Sequence, residues 1–152
     1  MKACRARRLV VGVGNPDAGD DGAGRAVARR LAARAPAGVI VRECAGDAAA
    51  LLDAWRGFDE VVVVDACRGA GPPGSVHQLR AEDLADFTGL GDTSTHSFGV
   101  ETAVGLARAL GTLPRNLVIH AIEGHDFEPG APLSPAARRG VDAVVLSLSS
   151  PR

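Results

Sequence analysis

Apolar residues along this chain fall into short continuous runs that alternate with stripes of helical period. The run Arg8–Val13 is rich in branched apolar residues and ends among glycines, which predicts a buried strand. Glu60–Asp65 contains four consecutive valines, the strongest strand pattern in the chain. Such a run is typical of a parallel strand buried on both faces. Val39–Val41 and Leu117–Ile122 predict two further strands of the same kind.

Helical periodicity separates these strands. Gly22–Ala35 has one apolar stripe, and Ala48–Trp55 has another. Phe98–Leu110 returns to helical spacing and is followed by Gly111, a plausible residue for the position just after a helix. A last helix is predicted after Ser134-Pro135, because a serine N-cap followed by proline is a typical helix start.

The remaining segments complete the order of elements. Ser75–Leu79 alternates and follows a strand without an intervening helix, which predicts an antiparallel strand at the edge of the sheet. A short helix is predicted at Ala81–Phe87 and a polar loop at Thr88–Ser97. The order β-α-β-α-β-β-α-β-α, without repeats or a long linker, predicts one domain over residues 1–152. Its fold class is α/β, a three-layer sandwich in which a mostly parallel sheet of about five strands has helices on both faces.

Composition narrows the function classes. The net charge is -1, and aromatic residues make up 3% of the chain, so neither a basic surface for nucleic acid nor a stacking platform is expected. The apolar runs are too short to cross a bilayer, and we expect a cytoplasmic protein without a membrane partner.

The cysteines are three in number and widely spaced, at Cys4, Cys44 and Cys67. Without a C-x-x-C pair they argue against a disulfide framework and against a structural zinc site. We interpret them as buried thiols, although Cys67 lies two residues beyond a candidate metal ligand, Asp65.

Candidate chemistry gathers where strands end. In an open α/β sheet, binding sites form outside the carboxyl ends of the strands. Three segments bring polar residues to that edge: the loop Gly14–Gly24 after the first strand, Asp65 after the four valines, and His96 in the loop before a helix.

The first loop begins like a dinucleotide-binding fingerprint. Gly12 and Gly14 match G-x-G, but Asp17 stands at the position of the third glycine. Asp20 and Asp21 then add carboxylates where a pyrophosphate would lie, and these would repel it. Carboxylates on such a loop favour a cation.

Each candidate also has a simpler interpretation. Asp20 or Asp21 could be the N-cap of the following helix, and we assign Asp21 to the metal. Asp65 could cap a turn, although a carboxylate beside four valines is partly desolvated. His96 could be an ordinary residue of the first helical turn.

The other histidines are weaker candidates. His77 lies on the predicted edge strand and His120 within a buried strand, so both are interpreted as structural. His125 lies in the last long loop and could border the site.

One imidazole and two carboxylates form a mixed ligand set that suits nickel, zinc, iron or manganese without choosing among them. The motifs H-E-x-x-H, G-x-S-x-G and S-x-x-K are all missing from the sequence. The residues alone therefore indicate a hydrolase or a metal-binding protein with an Asp/Asp/His site.

Four segments resemble the hydrogenase maturation endopeptidases, a protease family. They are the glycine-rich acidic loop Val10–Gly24, the strand end Val61–Ala66, the S-T-H-S-F-G segment Ser94–Gly99, and the segment His120–Pro135, which contains I-E-G and ends in L-S-P. The segments stand in the family's order and cover nearly the whole chain.

The resemblance implies an α/β sandwich and a precise activity. Members remove the C-terminal extension of the nickel-iron hydrogenase large-subunit precursor after nickel has been inserted, and the nickel serves for recognition. The corresponding metal-contacting and catalytic residues are Asp21, Asp65 and His96. The resemblance further implies an aspartate/metal-type endopeptidase, nickel contributed by the substrate, and a monomer with one dedicated partner.

Two departures from the family pattern are visible. Glu43–Asp47 replaces a D-G-G-T loop, which puts the identity of the partner in doubt. Gly124 stands where proline is common, which we interpret as a neutral change in loop stiffness.

Three other functions stay open at this point. A general metal-dependent peptidase or amidohydrolase would hold its own permanent ion. A non-catalytic, nickel-sensing assembly chaperone would bind the precursor without shortening it. A dinucleotide-binding module is disfavoured by the acidic loop.

Overall fold

The computed structural model describes the backbone of residues 7–86 and 95–150, and the side chains of residues 7–84 and 99–150. These residues form five strands and four α-helices, in the predicted order. The strands are β1 (Arg8–Val13), β2 (Val39–Cys44), β3 (Glu60–Cys67), β4 (Val76–Arg80) and β5 (Asn116–Glu123); the helices are α1 (Ala23–Arg34), α2 (Ala48–Trp55), α3 (Thr95–Leu110) and α4 (Pro135–Ser149). Short 3₁₀ turns occupy Gly19–Gly22 and Ala81–Asp86.

The five strands form one sheet in the order β2-β1-β3-β5-β4. In this order, the four strands from β2 to β5 are parallel. The last strand, β4, pairs antiparallel with β5 at the edge, as predicted. From β1 the chain passes first to β2 on one side and then to β3 on the other. The gap between β1 and β3 is therefore the point at which the winding direction reverses, where open α/β sheets bind their ligands.

Helices cover both faces of the sheet, so the three-layer α/β sandwich is confirmed. On one face, α2 and α3 pack on side chains such as Val11 and Val63. On the other, α1 and α4 pack on the alternate residues, including Val10 and Val64. Each apolar strand contributes to two cores, which explains why its sequence is a continuous run. No helix of the described residues is both long and apolar enough to cross a bilayer.

The start of α1 is pressed against the sheet at the reversal point. A Cβ at Gly24 would overlap the carbonyl oxygens of Val13 and Val64, so only glycine permits this approach of helix to strands. The close packing fixes the 3₁₀ turn that precedes α1 above the ends of β1 and β3.

Several predicted boundaries need correction. β3 continues to Cys67, because Ala66 and Cys67 still pair with β5, so Asp65 lies inside the strand and not at its end. α3 begins at Thr95, which places His96 in the first helical turn and not in a loop. The short helix predicted after β4 is a 3₁₀ turn. Of the predicted polar loop, residues 88–94 lie outside the described residues.

Candidate functional site

Asp21 lies in the 3₁₀ turn between β1 and α1. It is buried, and its Oδ2 accepts a hydrogen bond from the backbone N–H of Asn15 at 3.0 Å. Gly14 has a φ of 136°, and a Cβ there would overlap the carbonyl oxygen of Asp21. The glycine therefore lets the loop fold back tightly and hold the Asp21 carboxylate close to the end of β1.

Asp65 is a buried carboxylate in β3, with 1% of its surface exposed. Its Oδ1 accepts a hydrogen bond from the N–H of Ala66 at 2.8 Å, whereas Oδ2 has no hydrogen-bond partner among the described residues. Burial raises the pKa of Asp65 to about 8, and the negative charge of Asp21 adds to the rise. The two carboxylates are thus close enough to interact, and a cation between them would satisfy both.

The third predicted ligand, His96, is described only by its backbone. It lies in the first turn of α3, three residues before Gly99. A Cβ at Gly99 would overlap the carbonyl oxygen of Gly46, so this end of α3 packs directly on the loop that follows β2. The side chain of His96 lies outside the described residues, and its assignment as a ligand stays a prediction.

Asp20, the neighbour of Asp21, has a different role. It is fully buried, and its two oxygens accept hydrogen bonds from the backbone N–H groups of His125 (2.7 Å), Asp126 (3.0 Å) and Ser134 (2.7 Å), and from the Ser134 hydroxyl (2.7 Å). Burial alone would raise the pKa of Asp20, but these hydrogen bonds lower it below its usual value. Asp20 anchors the loop of residues 124–134 to the 3₁₀ turn.

The simpler interpretation, in which Asp20 or Asp21 is the N-cap of α1, is wrong. The N-cap of α1 is Gly22, and no side chain in the described part of the structure caps this helix. Both aspartates lie within the 3₁₀ turn that precedes α1, and the Asp20 side chain accepts hydrogen bonds from the distant loop of residues 124–134 instead.

The loop of residues 124–134 contains two residues singled out in the sequence. His125 has an exposed ring and takes part in the anchor only through its backbone. The N–H of Gly124 donates to the carbonyl oxygen of Cys67 at 2.8 Å, and a Cβ at Gly124 would crowd Phe127 and Asp20. Because proline has no N–H to donate, our interpretation of this position as neutral is wrong.

A second polar group lies at the same edge of the sheet, and sequence reasoning missed its centre, Glu123. The Glu123 carboxylate is buried at the end of β5. Its Oε2 lies 3.1 Å from the Sγ of Cys67 and 3.3 Å from the Nε2 of His77. The sequence signal that could have identified Glu123 is a carboxylate at the end of an apolar strand, the same pattern that singled out Asp65.

Cys67 is not a candidate nucleophile. Burial raises the pKa of its thiol far above the usual value, and the hydrogen bond with Glu123 raises it further. A thiol needs a lowered pKa to react as a thiolate near neutral pH. The chemistry available at this edge is therefore cation binding and activation of water, and not attack by a free thiolate on a carbonyl carbon.

Known proteins resemble this chain over nearly its full length. Residues 26–150 match the sequence model of the hydrogenase maturation proteases. The hydrogenase expression/formation protein HupD of Bradyrhizobium diazoefficiens is 32% identical over 137 residues, which cover 87% of this chain and 70% of that protein. Its counterpart from Rhodobacter capsulatus is 28% identical over 142 residues, which cover 91% of this chain and 68% of the relative.

A solved structure has the same architecture. The nickel-iron hydrogenase maturation protease HybD from Thermococcus kodakarensis superposes with a TM-score of 0.76 at 27% identity. The match covers 95% of this chain and 99% of that one.

Proposed function

The chain belongs to the hydrogenase maturation protease family, and from that premise we propose that it removes the C-terminal extension of a nickel-loaded large-subunit precursor. Membership makes the protein an endopeptidase that processes a hydrogenase precursor. The proposal adds the nickel-loaded state of the substrate, the position of the cut, and the residues that recognise the metal: Asp21, Asp65 and His96.

The observation that supports nickel recognition best is the unsatisfied Oδ2 of Asp65. A buried carboxylate oxygen without a hydrogen-bond donor is costly to the folded protein, and such atoms are uncommon unless a function requires them. Asp21 is held beside it by Asn15. Together they offer oxygen ligands to a cation that arrives with the substrate, so the residues fit the metal.

His96 supplies the nitrogen ligand in this proposal. An imidazole together with two carboxylates suits a first-row divalent metal better than magnesium or calcium, which prefer oxygen ligands alone. The position of His96 in the first turn of α3 supports the assignment, because Gly99 in the next turn packs on the loop after β2, at the same sheet edge.

The proton of Asp65 links metal recognition to catalysis. Without a cation, the raised pKa keeps Asp65 protonated at neutral pH, and the proton resides on Oδ2, because Oδ1 accepts from Ala66. A dication nearby favours the ionised carboxylate, so docking of the loaded substrate releases that proton. The site becomes doubly negative only when nickel is present.

Peptide hydrolysis then follows ordinary general-base chemistry. The substrate's nickel supplies a positive charge that polarises the reacting groups. A carboxylate of the Asp21–Asp65 pair accepts a proton from water as the water oxygen bonds to the scissile carbonyl carbon. The same proton passes to the leaving nitrogen when the C–N bond breaks. The products are a new C-terminal carboxylate on the large subunit and a free amine on the tail.

A monomer acting in the cytoplasm belongs to the same proposal. Cys44 and Cys67 are both free thiols in the described structure, which supports a reducing compartment.

The Glu43–Asp47 segment, which differs from the family pattern, is the first region to exchange in a search for partner specificity.

The experiment that tests the function is an intact-mass measurement. The purified protein is mixed with its candidate large-subunit precursor, prepared with and without nickel. We expect loss of a C-terminal tail only from the nickel-loaded precursor. Stable binding without a mass change would support the chaperone alternative, and cleavage of both samples alike would contradict nickel recognition.

His96 is tested by the same measurement. His96→Ala should slow processing by at least about 100-fold, because it removes a group that acts on the charged centre. His125→Ala, which removes an exposed ring from a nearby loop, is the matched control and should process normally. Equal rates for the two variants would remove His96 from the site.

A further inference from the structure

The fold brings three different metal-binding side chains together at the carboxyl edge of the sheet, on the side where β4 lies. Cys67 ends β3, Glu123 ends β5, and the two residues are paired in the register. His77 lies in β4, opposite Ala121 of β5. The cluster therefore spans three neighbouring strands, and its members are far apart in the sequence.

The donor atoms are spaced as a metal site requires. One donor atom from each of Cys67, His77 and Glu123 lies within 4.8 Å of the other two. The Sγ–Oε2 distance is 3.1 Å and the Nε2–Oε2 distance is 3.3 Å. Around a tetrahedral zinc ion, ligand atoms are separated by about 3.3 to 3.5 Å. Small side-chain rotations would bring the three atoms onto one ion.

The surroundings of the cluster are those of an oriented, partly closed site. Cys67 is fully buried and Glu123 is 1% exposed, whereas the side chain of His77 is 23% exposed and gives a route from solvent. The second carboxylate oxygen of Glu123 accepts a hydrogen bond from the N–H of Ala70 at 3.1 Å, which fixes the carboxylate. Residue 71 is glycine, so no side chain crowds the edge of the His77 ring, which lies within 3.5 Å of a Cβ built there.

We infer that Cys67, His77 and Glu123 bind one divalent cation of borderline softness, for which zinc is the best fit. Thiolate, imidazole and carboxylate are the three ligand types of protein zinc sites, and three protein ligands leave a fourth position for water. The cation displaces the thiol proton of Cys67 to solvent, and the resulting thiolate and the Glu123 carboxylate then neutralise the dication in a buried setting.

This resident cation is separate from the nickel of the proposed function. Asp65 precedes Cys67 by two residues along β3, a distance of about 7 Å. The cation would tie the edge strand β4 and residues 68–74 to the centre of the sheet. The absence of a C-x-x-C pair argued against structural zinc, but ligands assembled from three strands leave no such spacing in the sequence.

Cobalt(II) is the probe for this site, because a cobalt–thiolate bond absorbs in the near ultraviolet. The intact chain, reduced and freed of metal, is titrated with cobalt. We expect a thiolate-to-cobalt charge-transfer band that saturates at one equivalent and disappears when zinc is added. Absence of the band from the wild-type protein would overturn the inference.

Variants identify the ligands. Cys67→Ser should abolish the band, and His77→Ala should weaken cobalt binding by at least about tenfold. Cys44→Ser, which changes the other described buried thiol, should keep both band and affinity. If Cys67→Ser fails to fold by circular dichroism, His77→Ala decides. Loss of the band in Cys44→Ser, or unchanged binding in His77→Ala, would overturn the inference. Asp65→Asn should keep the band, which separates this site from the nickel-binding residues.

Discussion

Asp20 and Asp65 are both buried carboxylates at the carboxyl edge of the sheet, and their surroundings are opposite. Asp20 accepts four hydrogen bonds from His125, Asp126 and Ser134, and its pKa is lowered. Asp65 accepts one, from its own neighbour, and its pKa is raised to about 8. The first carboxylate completes the fold. The second leaves an oxygen unsatisfied, which is what a site for an incoming cation requires.

Apart from Asp65 itself, the largest effect should come from Asp21, which lies next to Asp20 in sequence but pairs with Asp65 in the site. Asp21→Asn keeps the side-chain volume and can still accept from Asn15, so the fold should persist. The rate of processing should fall at least about 100-fold, because a charge that faces the metal is lost. Asp53→Asn, at a 79% exposed position on α2, is the control and should retain full activity by intact-mass assay. A fully active Asp21→Asn variant would break the pairing of Asp21 with Asp65.

Asp20 should show the reverse behaviour, with a loss of stability. Asp20→Asn replaces one carboxylate oxygen by an NH₂ group. The hydrogens of this group would face the N–H or O–H donors from which that oxygen accepts hydrogen bonds. We expect the free energy of unfolding to fall by about 2 to 4 kcal/mol, since buried donors are left without a partner. Urea unfolding monitored by circular dichroism measures this. An unchanged midpoint would show that Asp20 is not the anchor.

The pH dependence of stability should separate the two aspartates by sign. The pKa of Asp65 is raised in the folded protein from 3.8 to about 8, so the folded state holds a proton that the unfolded chain has lost. Its contribution to stability is fully present below about pH 4 and is lost as the pH rises to 8. The pKa of Asp20 is lowered in the folded protein. Its contribution to stability is therefore present above pH 3.8 and is lost as the pH falls through the lowered pKa.

Asp65→Asn does not titrate and isolates the first contribution. In a chelator, the stability of this variant relative to the wild type should increase by at least about 1 kcal/mol between pH 5 and pH 8. Urea titrations at the two pH values measure the difference. A difference that is independent of pH would mean that Asp65 is ionised in the folded protein without a cation.

The smallest effect should come from Ser134. Its hydroxyl donates to Asp20 and also accepts from the N–H of Ala137 as the N-cap of α4. Ser134→Ala should lower the free energy of unfolding by about 1 to 2 kcal/mol and leave processing intact. Ser147→Ala, at an exposed position of α4, should change it by less than about 0.5 kcal/mol. A loss of processing in Ser134→Ala at full stability would give the loop of residues 124–134 a catalytic role.

The fold follows from local sequence patterns to a large extent. Arg8–Val13 and Ala48–Trp55 have the predicted bounds, because an uninterrupted apolar run and a capped apolar stripe each specify one element. The position of β4 at the edge of the sheet was predicted because no helix lies between β3 and β4 in the sequence. The end of β3 was misplaced, because the polar side chain of Asp65 interrupts the apolar run although the backbone pairing with β5 continues.

The candidate site was predictable only in part. Asp21 and Asp65 could be selected because both arrive at the carboxyl edge of the sheet, a consequence of element order. The role of Asp20 could not, since its partners lie more than 100 residues away. The grouping of Cys67, His77 and Glu123 depends on strand order and register, which local patterns do not determine.

Central to the proposed function is the Oδ2 of Asp65, which the fold leaves without a hydrogen-bond donor among the described residues so that it can bind the nickel of the substrate. The most direct measurement is processing of the nickel-loaded precursor by Asp65→Asn, followed by intact mass, with urea unfolding of the same sample. The account predicts no detectable loss of the tail, together with stability at pH 8 equal to or above that of the wild type. Normal processing by a folded Asp65→Asn protein would contradict it.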